Sequence, residues 1–173
     1  MLRQLIGNDV TVAGPRLVSA RDAESILRTL PEWFGIEAAL TAYAREAEML
    51  PNFVALAGDE LLGFATLREH NSATLELRCI AVSPNRHRCG LGSALCDATE
   101  AWWAQRGGKL LQVKTLGPSH ADPNYARTRA FYDARGFIPV EEFADLWPGI
   151  PCLLMVKRMD GGREESTFNR AIR

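Results

Sequence analysis

The alternation of apolar and polar residues divides the chain into short segments with strand or helix periodicity. Apolar residues at every second position predict strands, and apolar residues three or four positions apart predict helices. Glycine, proline and short polar turns separate the segments; Asp59-Glu60, for example, joins two strand-like runs in a hairpin pattern. The predicted strands cover residues 17–18, 53–58, 61–68, 74–82, 110–115, 137–143 and 152–159. The predicted helices begin near residue 19 or 22, at 36, at 92 and at about 125.

The order of these segments predicts an α/β (α+β) fold, in which a central mixed, mostly antiparallel sheet of six to seven strands is flanked by about four helices. The strand 74–82, the helix after it and the strand 110–115 form one βαβ unit, so these two strands should be parallel. No linker-like stretch divides the 173 residues, which suffice for one domain with a substantial core. We therefore expect one domain over residues 1–160 and a flexible tail at 161–173.

Charge and hydropathy exclude several classes of function. The formal net charge is −1 and charges of both signs are interspersed, so no broad basic surface is expected for nucleic acid or an anionic membrane. The longest apolar runs are strand-sized, and residues 1–8 lack the apolar centre of a signal peptide. We therefore expect a cytoplasmic protein.

The cysteines and histidines do not have the spacing of a metal site. Three of the four cysteines lie within apolar segments and read as reduced packing residues, and no Cys-x-x-Cys pair occurs. The three histidines are far apart in the sequence, so we predict no metal. Cys89 is the exception, because the neighbouring Arg88 could lower its pKa; a nucleophilic role for Cys89 is therefore an alternative that stays open.

The most informative segment is residues 80–95, where an apolar strand leads through a short basic turn directly into an amphipathic helix. Gly90 and Gly92 let backbone N–H groups approach a ligand closely, and the helix N-terminus favours negative charge, so the turn predicts a diphosphate site. His87 and Arg88 can add positive charge. The dinucleotide fingerprint is excluded because Leu95 stands where its third glycine is required, and the Gly-Lys-Ser/Thr of a Walker A loop is absent.

Residues 87–92, read His-Arg-Cys-Gly-Leu-Gly, resemble the acetyl-coenzyme A (acetyl-CoA) signature of the GNAT family of N-acetyltransferases, Arg/Gln-x-x-Gly-x-Gly/Ala, with histidine in first position. A second segment, residues 125–137, is similar to the family's Asn-x-x-Ala-x-x-x-Tyr followed by Gly-Phe. Tyr132 matches that pattern, whereas Tyr125 and Thr128 replace its Asn and Ala. The order of strands and helices also matches, so the resemblance covers about residues 15–160 and implies the GNAT fold.

The resemblance implies transfer of acetyl from acetyl-CoA to a primary amine of an unidentified acceptor, by direct attack in a ternary complex. The strand before the turn would supply backbone groups to the pantetheine arm, with the N–H of Ile80 donating to the thioester carbonyl. The turn would hold the diphosphate, and the last helix would add further contacts. The residues so implied in cofactor binding are Ile80, Ala81, Val82, His87, Arg88, Cys89, Gly90, Leu91, Gly92, Ser93, Asn124, Thr128 and Tyr132.

Tyr132 resembles the family's general acid, which protonates the departing thiolate. Helical spacing predicts that an alanine row at 126, 130 and 134 faces the core while Tyr132 faces the ligand. Glu76 is the candidate base, because some family members carry a catalytic Glu there and strand alternation would put it on the same face as Ile80. A packing role for Tyr132, a surface ion pair of Glu76 with Arg78, and His120 as the base are the alternatives.

The acceptor and the partners are less determined. Three carboxylates near Trp147 would form an acidic, aromatic-walled entrance for a cationic amine, although a solvated edge explains the same residues: Glu141, Glu142 and Asp145. The expected partners are acetyl-CoA and the amine, without nucleic acid or membrane, and a homodimer stays open. The alternatives in function are a non-catalytic acyl-CoA sensor or interaction domain on the same fold, and a nucleotide-binding regulator that uses the Gly90 turn.

Overall fold

The computed structural model describes residues 2–6 and 9–159 of the chain. These residues form eight β-strands and five α-helices, and the predicted tail at 161–173 lies outside them. The strands are β1 (Leu2–Ile6), β2 (Val10–Arg16), β3 (Asn52–Ala57), β4 (Glu60–Asn71), β5 (Thr74–Val82), β6 (Leu110–Leu116), β7 (Ile138–Trp147) and β8 (Ile150–Arg158). The helices are α1 (Ala20–Leu27), α2 (Pro31–Phe34), α3 (Glu37–Met49), α4 (Leu91–Gln105) and α5 (Pro123–Ala134). None of the helices in this part of the chain is long and apolar enough to cross a bilayer.

All eight strands belong to one sheet with the order β1-β2-β3-β4-β5-β6-β8-β7. Among the described strands, the β5–β6 pair is parallel and every other neighbouring pair is antiparallel. The predicted mixed, mostly antiparallel sheet and the parallel βαβ unit are therefore confirmed. The sheet has eight strands rather than six to seven because β1, which pairs with β2 at the edge, was not recognised in the sequence.

The helices cover both faces of the sheet and bury a separate apolar core on each. On one face α4 packs against the middle strands, and the α4 residues Leu91 and Leu95 join Tyr132 of α5 in the first core. On the other face α1 and α3 bury Leu27 and Leu40 in the second core. Of the two predicted caps of α1, the structure has Ser19, whose Oγ accepts a hydrogen bond of 3.1 Å from the N–H of Asp22.

Two predictions about local structure are wrong. The first strand ends at Arg16 instead of occupying 17–18: Leu17 is 59% exposed, and it only connects β2 to the cap of α1. The alanine row of α5 does not face the core, because its three residues are exposed and Tyr132 is the buried residue of that helix. Alanine favours helix formation wherever it lies, so its spacing does not by itself identify the packed face.

The feature of the sheet that creates the site is the separation of β5 from β6. Their pairing covers only residues 74–76 of β5 and 110–112 of β6, yet β5 continues to Val82 and β6 to Leu116. Beyond the paired part, the facing edges of the two strands diverge. A bulge lies at the same point, because Leu77 and Cys79 of β5 oppose consecutive residues of β4 and leave Arg78 as the extra residue.

Candidate functional site

A cavity of about 580 Å³ lies in the opening between β5 and β6. The free parts of both strands form two of its walls, and residues of α2, α3 and α5 form the others. At one end the cavity reaches the turn before α4 and the first residues of that helix. A concave site with mostly apolar walls and a few polar groups is typical of ligand binding.

The turn presents unpartnered backbone N–H groups to the cavity. The first helical hydrogen bond of α4 runs from the N–H of Ala94 to the carbonyl of Gly90 at 3.0 Å, so the N–H groups of Leu91, Gly92 and Ser93 have no partner within the helix. Gly90 has φ of 79°, a left-handed conformation that a residue without Cβ adopts without strain. These amides and the positive end of the helix dipole fit a diphosphate.

Positive side chains surround the same end of the cavity. Arg86, Arg88 and Arg127 all line it and lie on the turn or on α5. His87 also lines the cavity, but its Nε2 lies 2.8 Å from the carbonyl oxygen of Val82, so the imidazole fastens the turn to the end of β5. The arginines therefore supply the permanent positive charge that an anion needs, and His87 has a structural contact as well.

Tyr132 lies on the cavity wall opposite the free edge of β5. It is 5% exposed, and its ring contacts Phe131 and Phe137 with centroid distances of 5.5 Å. Burial raises the pKa of that hydroxyl well above its ordinary value of 10, so the group stays protonated at neutral pH. Tyr132 can therefore act as a hydrogen-bond or proton donor toward a ligand in the cavity.

The short helix α2 lies across the cavity and is held to α5. The indole N–H of Trp33 donates to Oγ1 of Thr128 at 3.0 Å, and the hydroxyl of Tyr125 donates to the carbonyl of Trp33 at 2.9 Å. The Trp33 ring also meets the His87 ring edge-on, with centroids 6.1 Å apart. The two residues that depart from the expected motif, Tyr125 and Thr128, thus hold α2 in place. The contact of Thr128 with a cofactor stays a prediction.

Glu76 does not have the position that strand alternation predicts. The bulge at Arg78 shifts the alternation by one residue, so Leu77 and Ile80 contact the first core while Cys79 lies in the second. Glu76 therefore lies on the face opposite to Ile80, and it is not among the residues that line the cavity. The expectation that Glu76 and Ile80 share a face is wrong, and the catalytic role of Glu76 stays a prediction.

The buried carboxylate of Glu76 is held by two partners. Its Oε1 lies 3.0 Å from Nζ of Lys114, and its Oε2 lies 2.6 Å from Nε2 of His70. Burial alone would raise the pKa of Glu76, but the hydrogen bond and charge of Lys114, with the hydrogen bond of His70, outweigh it and hold the pKa below its ordinary value of 4.5. A carboxylate with a lowered pKa is a weak proton acceptor.

We expect Glu76→Gln to lower the free energy of unfolding by about 1.5–3 kcal/mol at pH 7, because the variant loses the charged partner of Lys114. A carboxylate with a lowered folded-state pKa stabilises the protein above about pH 4.5, and this stabilisation is lost as the pH falls through its folded pKa. The difference between wild type and variant should therefore shrink at more acidic pH. Urea unfolding at pH 7 and pH 3.5 measures both values.

Glu69→Gln is the control for this measurement, since Glu69 also lies on the sheet but pairs with Arg106 at 3.5 Å on the surface. That variant should change stability by less than about 0.5 kcal/mol. A Glu76→Gln variant as stable as wild type at pH 7 would contradict the buried pair.

The cavity brings together most, but not all, of the residues predicted to bind a cofactor. Of the predicted set, Cys89 and Asn124 do not line the cavity: Cys89 is exposed on the turn, and Oδ1 of Asn124 accepts a hydrogen bond from Arg127. His120 lies on an exposed turn away from the cavity. The predicted residues that do line it are Ile80, Ala81, Val82, His87, Arg88, Gly90, Leu91, Gly92, Ser93, Thr128 and Tyr132.

Of the predicted acidic, aromatic-walled entrance, the structure has the aromatic residue at the cavity but not the carboxylates. Trp147 lines the cavity, whereas Glu141, Glu142 and Asp145 do not, and Glu142 instead accepts a hydrogen bond from Ser119. Because no carboxylate of the described residues lines the cavity, the entrance does not have the charge that a polycationic acceptor would need.

The cavity also contains polar residues that the sequence did not identify. Arg78 and Lys114 line it from β5 and β6, and Thr115 lies beside Lys114. Oγ1 of Thr115 is buried and has no hydrogen-bond partner among the described residues. None of the three belongs to a local motif, and only the separation of β5 from β6 places them together.

Comparison with protein families gives a match over most of the chain. The model of the acetyltransferase (GNAT) family matches residues 21–137. That range contains both motif segments, the turn before α4 and helix α5. A search of curated protein sequences found no match.

Solved structures share the fold at low sequence identity. The ribosomal-protein-S18-alanine N-acetyltransferase of Escherichia coli is 20% identical, with 92% of this chain and 99% of that chain covered and a TM-score of 0.72. A GNAT family acetyltransferase of Elizabethkingia anophelis with acetyl-CoA bound is 16% identical, with 87% and 99% covered and a TM-score of 0.66. An aminoglycoside 6'-N-acetyltransferase complexed with coenzyme A is 21% identical, with 81% and 90% covered and a TM-score of 0.62.

Proposed function

Because the chain belongs to the GNAT acetyltransferase family, we propose that it transfers an acetyl group from acetyl-CoA to a primary amine by direct attack in a ternary complex. The observation that carries this proposal is the separation of β5 from β6, which opens a cavity ending at the unpartnered amides of α4. Two solved neighbours contain acetyl-CoA or coenzyme A on the same fold. Their sequence identities to this chain are too low to infer its acceptor from theirs.

The residues of the cavity fit the parts of acetyl-CoA, which supplies an acetyl group already activated as a thioester. In the proposed complex the turn amides and Arg88 hold the diphosphate, and the free edge of β5 pairs with the pantetheine arm. The N–H of Ile80 donates to the thioester carbonyl, where negative charge develops during attack.

Two proton transfers complete the proposed reaction. As the C–N bond forms and the C–S bond breaks, the hydroxyl of Tyr132 donates a proton to the departing sulfur. The attacking amine must lose its own proton, since an alkylammonium has a pKa of about 10.4 in water. Glu76 is the candidate acceptor, but it can take that proton only through water, because it does not line the cavity and both of its oxygens are already paired.

Ligand-dependent stability tests the binding part of the proposal. At 100 times its dissociation constant, a ligand of the folded state adds about 2.7 kcal/mol, which is roughly 5–10 °C in Tm for a chain of this size. We expect acetyl-CoA and coenzyme A to raise Tm by this amount, and ATP and NAD to have no comparable effect. A shift with ATP or NAD alone would instead favour the nucleotide-binding regulator.

Release of the coenzyme A thiol, measured with a thiol reagent in the presence of amines, tests the chemistry. We expect thiol release that depends on both the amine and acetyl-CoA. Binding of acetyl-CoA without release by any amine would favour the non-catalytic sensor, for which the altered positions Tyr125 and Thr128 are the motivating observation.

A further inference from the structure

We propose that the acceptor is a small amine that carries a carboxylate, an amino acid or a close analogue, and that Arg78 and Lys114 recognise this carboxylate. The inference rests on the proposed function and names the class of its second substrate. It is based on the position of these two cations in the cavity and on the groups that neutralise them.

Arg78 and Lys114 lie at the point where the two strands separate. Each stands two residues beyond the last paired residues, Glu76 of β5 and Gln112 of β6, and both line the cavity. Their side chains are about one fifth exposed, at 20% and 22%. The two cations therefore flank the opening, next to the position proposed for the acetyl group.

The carboxylates of this charge network are each held by two cationic or imidazole groups. Glu76 is saturated by Lys114 and His70, and Glu46 pairs with Arg78 at 2.8 Å and with Arg68. Neither glutamate lines the cavity. Three permanent cations thus share two carboxylates. The two terminal nitrogens of Arg78 also donate to the Tyr43 hydroxyl and to Glu46, each at 3.4 Å, so the second N–H of each of these nitrogens and the other N–H groups of Lys114 remain for an anion. The network leaves the cavity side positive.

The diphosphate does not account for these two cations. The diphosphate is assigned to the turn, where Arg86 and Arg88 already lie. At about 3.3 Å per strand residue, Arg78 lies roughly 13 Å from Val82, the residue that leads into that turn. Arg78 and Lys114 are thus positioned for a second, smaller anion at the opposite end of the cavity.

Positive surroundings also suit the chemistry of an amine. Like charge nearby lowers the pKa of an ammonium group, so an amine held beside Arg78 and Lys114 loses its proton more readily than in water. The same charge repels an acceptor with several ammonium groups, such as a polyamine or an aminoglycoside. An amino acid can bind despite this repulsion, because the attraction of its carboxylate to the two cations offsets the repulsion of its ammonium group.

The walls near the two cations are aromatic. The guanidinium of Arg78 lies 4.7 Å from the ring centroid of Tyr43, and Phe34 contacts that ring edge-on at 5.7 Å. Trp147 completes this side of the cavity. An apolar side chain on the acceptor would find contact area here. The class is therefore an amino acid with an apolar or aromatic side chain rather than a polar one.

The test compares amines that differ only in the carboxylate. The probes are the twenty proteinogenic amino acids and the α-amide of each. Spermidine and kanamycin serve as polycations, and a hexapeptide with a free N-terminus, uncharged side chains and an amidated C-terminus represents a protein N-terminus. For the amino acids that are acetylated, we expect kcat/KM to exceed that of the matching amide by at least tenfold, with the largest values for apolar side chains.

Variants then assign the preference to the two cations. Lys114→Met alone would leave Glu76 buried beside only His70, so we combine it with Glu76→Gln, which removes both members of the pair. Compared with Glu76→Gln alone, which carries any loss that comes from the candidate base, this double variant should raise KM for the amino acid at least tenfold, with a smaller change in kcat and little change for the amide. Lys114→Arg should restore the preference. Arg68→Gln, which removes a cation of the same network outside the cavity, should leave the acid-to-amide ratio unchanged.

Several results would overturn the inference. The first is an equal kcat/KM for acids and amides, and the second is faster acetylation of spermidine, kanamycin or the hexapeptide than of the amino acids. The third is an equal loss of kcat/KM for acid and amide in the double variant. The fourth is acetyl-CoA binding without acetylation of any amino acid. Failure of acetyl-CoA to bind the wild-type chain would instead remove the proposed function itself, and the Tm measurement shows this separately.

Discussion

Tyr132→Phe is expected to lower kcat by about 10²–10³-fold while the affinity for acetyl-CoA stays within about twofold of wild type. The change removes only a hydroxyl group, and the ring contacts with Phe131 and Phe137 are retained. General acid catalysis contributes about 10²–10⁴-fold, and it is most effective when the pKa of the acid is near the working pH. Because burial raises the pKa of Tyr132, we expect the lower part of that range. Steady-state kinetics and calorimetric titration with coenzyme A measure the two quantities.

Tyr125→Phe is the matched control, since Tyr125 lies on the same helix and its hydroxyl donates to the carbonyl of Trp33. Its loss should lower the free energy of unfolding by about 1 kcal/mol and change kcat by only a few-fold. Tyr132→Phe should show the opposite pattern. Turnover of Tyr132→Phe within twofold of wild type would exclude the general acid role, and reduced stability alone would identify a packing residue.

The strand, turn and helix proposed to bind the diphosphate could be predicted from the sequence because they depend on local structure. An apolar strand, two closely spaced glycines and an amphipathic helix occupy one continuous segment, 80–95, and the structure has each of these elements in that order. Backbone N–H groups at a helix N-terminus need no distant partner to point at a ligand. The cap of α1 is also local, and Ser19 is one of the two positions that the sequence offered for it, with Asp22 as the other.

The face of the sheet on which Glu76 lies could not be predicted from the sequence, because one extra residue in β5 reverses the alternation of side chains between the two faces. The apolar pattern of β5 is compatible with a regular strand throughout, and the bulge at Arg78 exists only in the pairing with β4. Beyond a bulge every side chain points to the other face from the one expected. The sequence thus predicted the correct strand with Glu76 and Ile80 on one face, and the structure separates them.

The rest of the site depends on contacts between distant residues. Trp33 and Thr128 are 95 positions apart, and the sequence showed only a break in helical periodicity where α2 lies. Arg78 and Lys114 both line the cavity because β5 and β6 diverge after three paired residues each. Such contacts are set by tertiary packing, which local periodicity does not encode. The structure of the proposed acceptor end was therefore predicted less completely than that of the turn before α4.

Gly92→Val is expected to weaken coenzyme A binding by about 100-fold with little loss of stability in the free protein. A Cβ at Gly92 would meet only the ring of Phe131, at an ordinary contact distance of 3.6 Å. A branched side chain there would nevertheless obstruct the approach of the diphosphate to the turn amides. Hydrogen bonds to a charged group contribute about 1.5–3 kcal/mol each, and every 1.4 kcal/mol is tenfold in affinity. Calorimetric titration measures the affinity, and thermal unfolding measures the stability.

Gly90→Val should differ in a defined way, because Gly90 has φ of 79° although nothing lies within 4 Å of its added Cβ. A β-branched residue in this left-handed conformation costs about 1–2 kcal/mol, so this variant should lose both stability and affinity. Gly92→Ala adds a single methyl group without branching, and it should retain most of the affinity. Unchanged coenzyme A affinity in both valine variants would remove the assignment of the diphosphate to this turn.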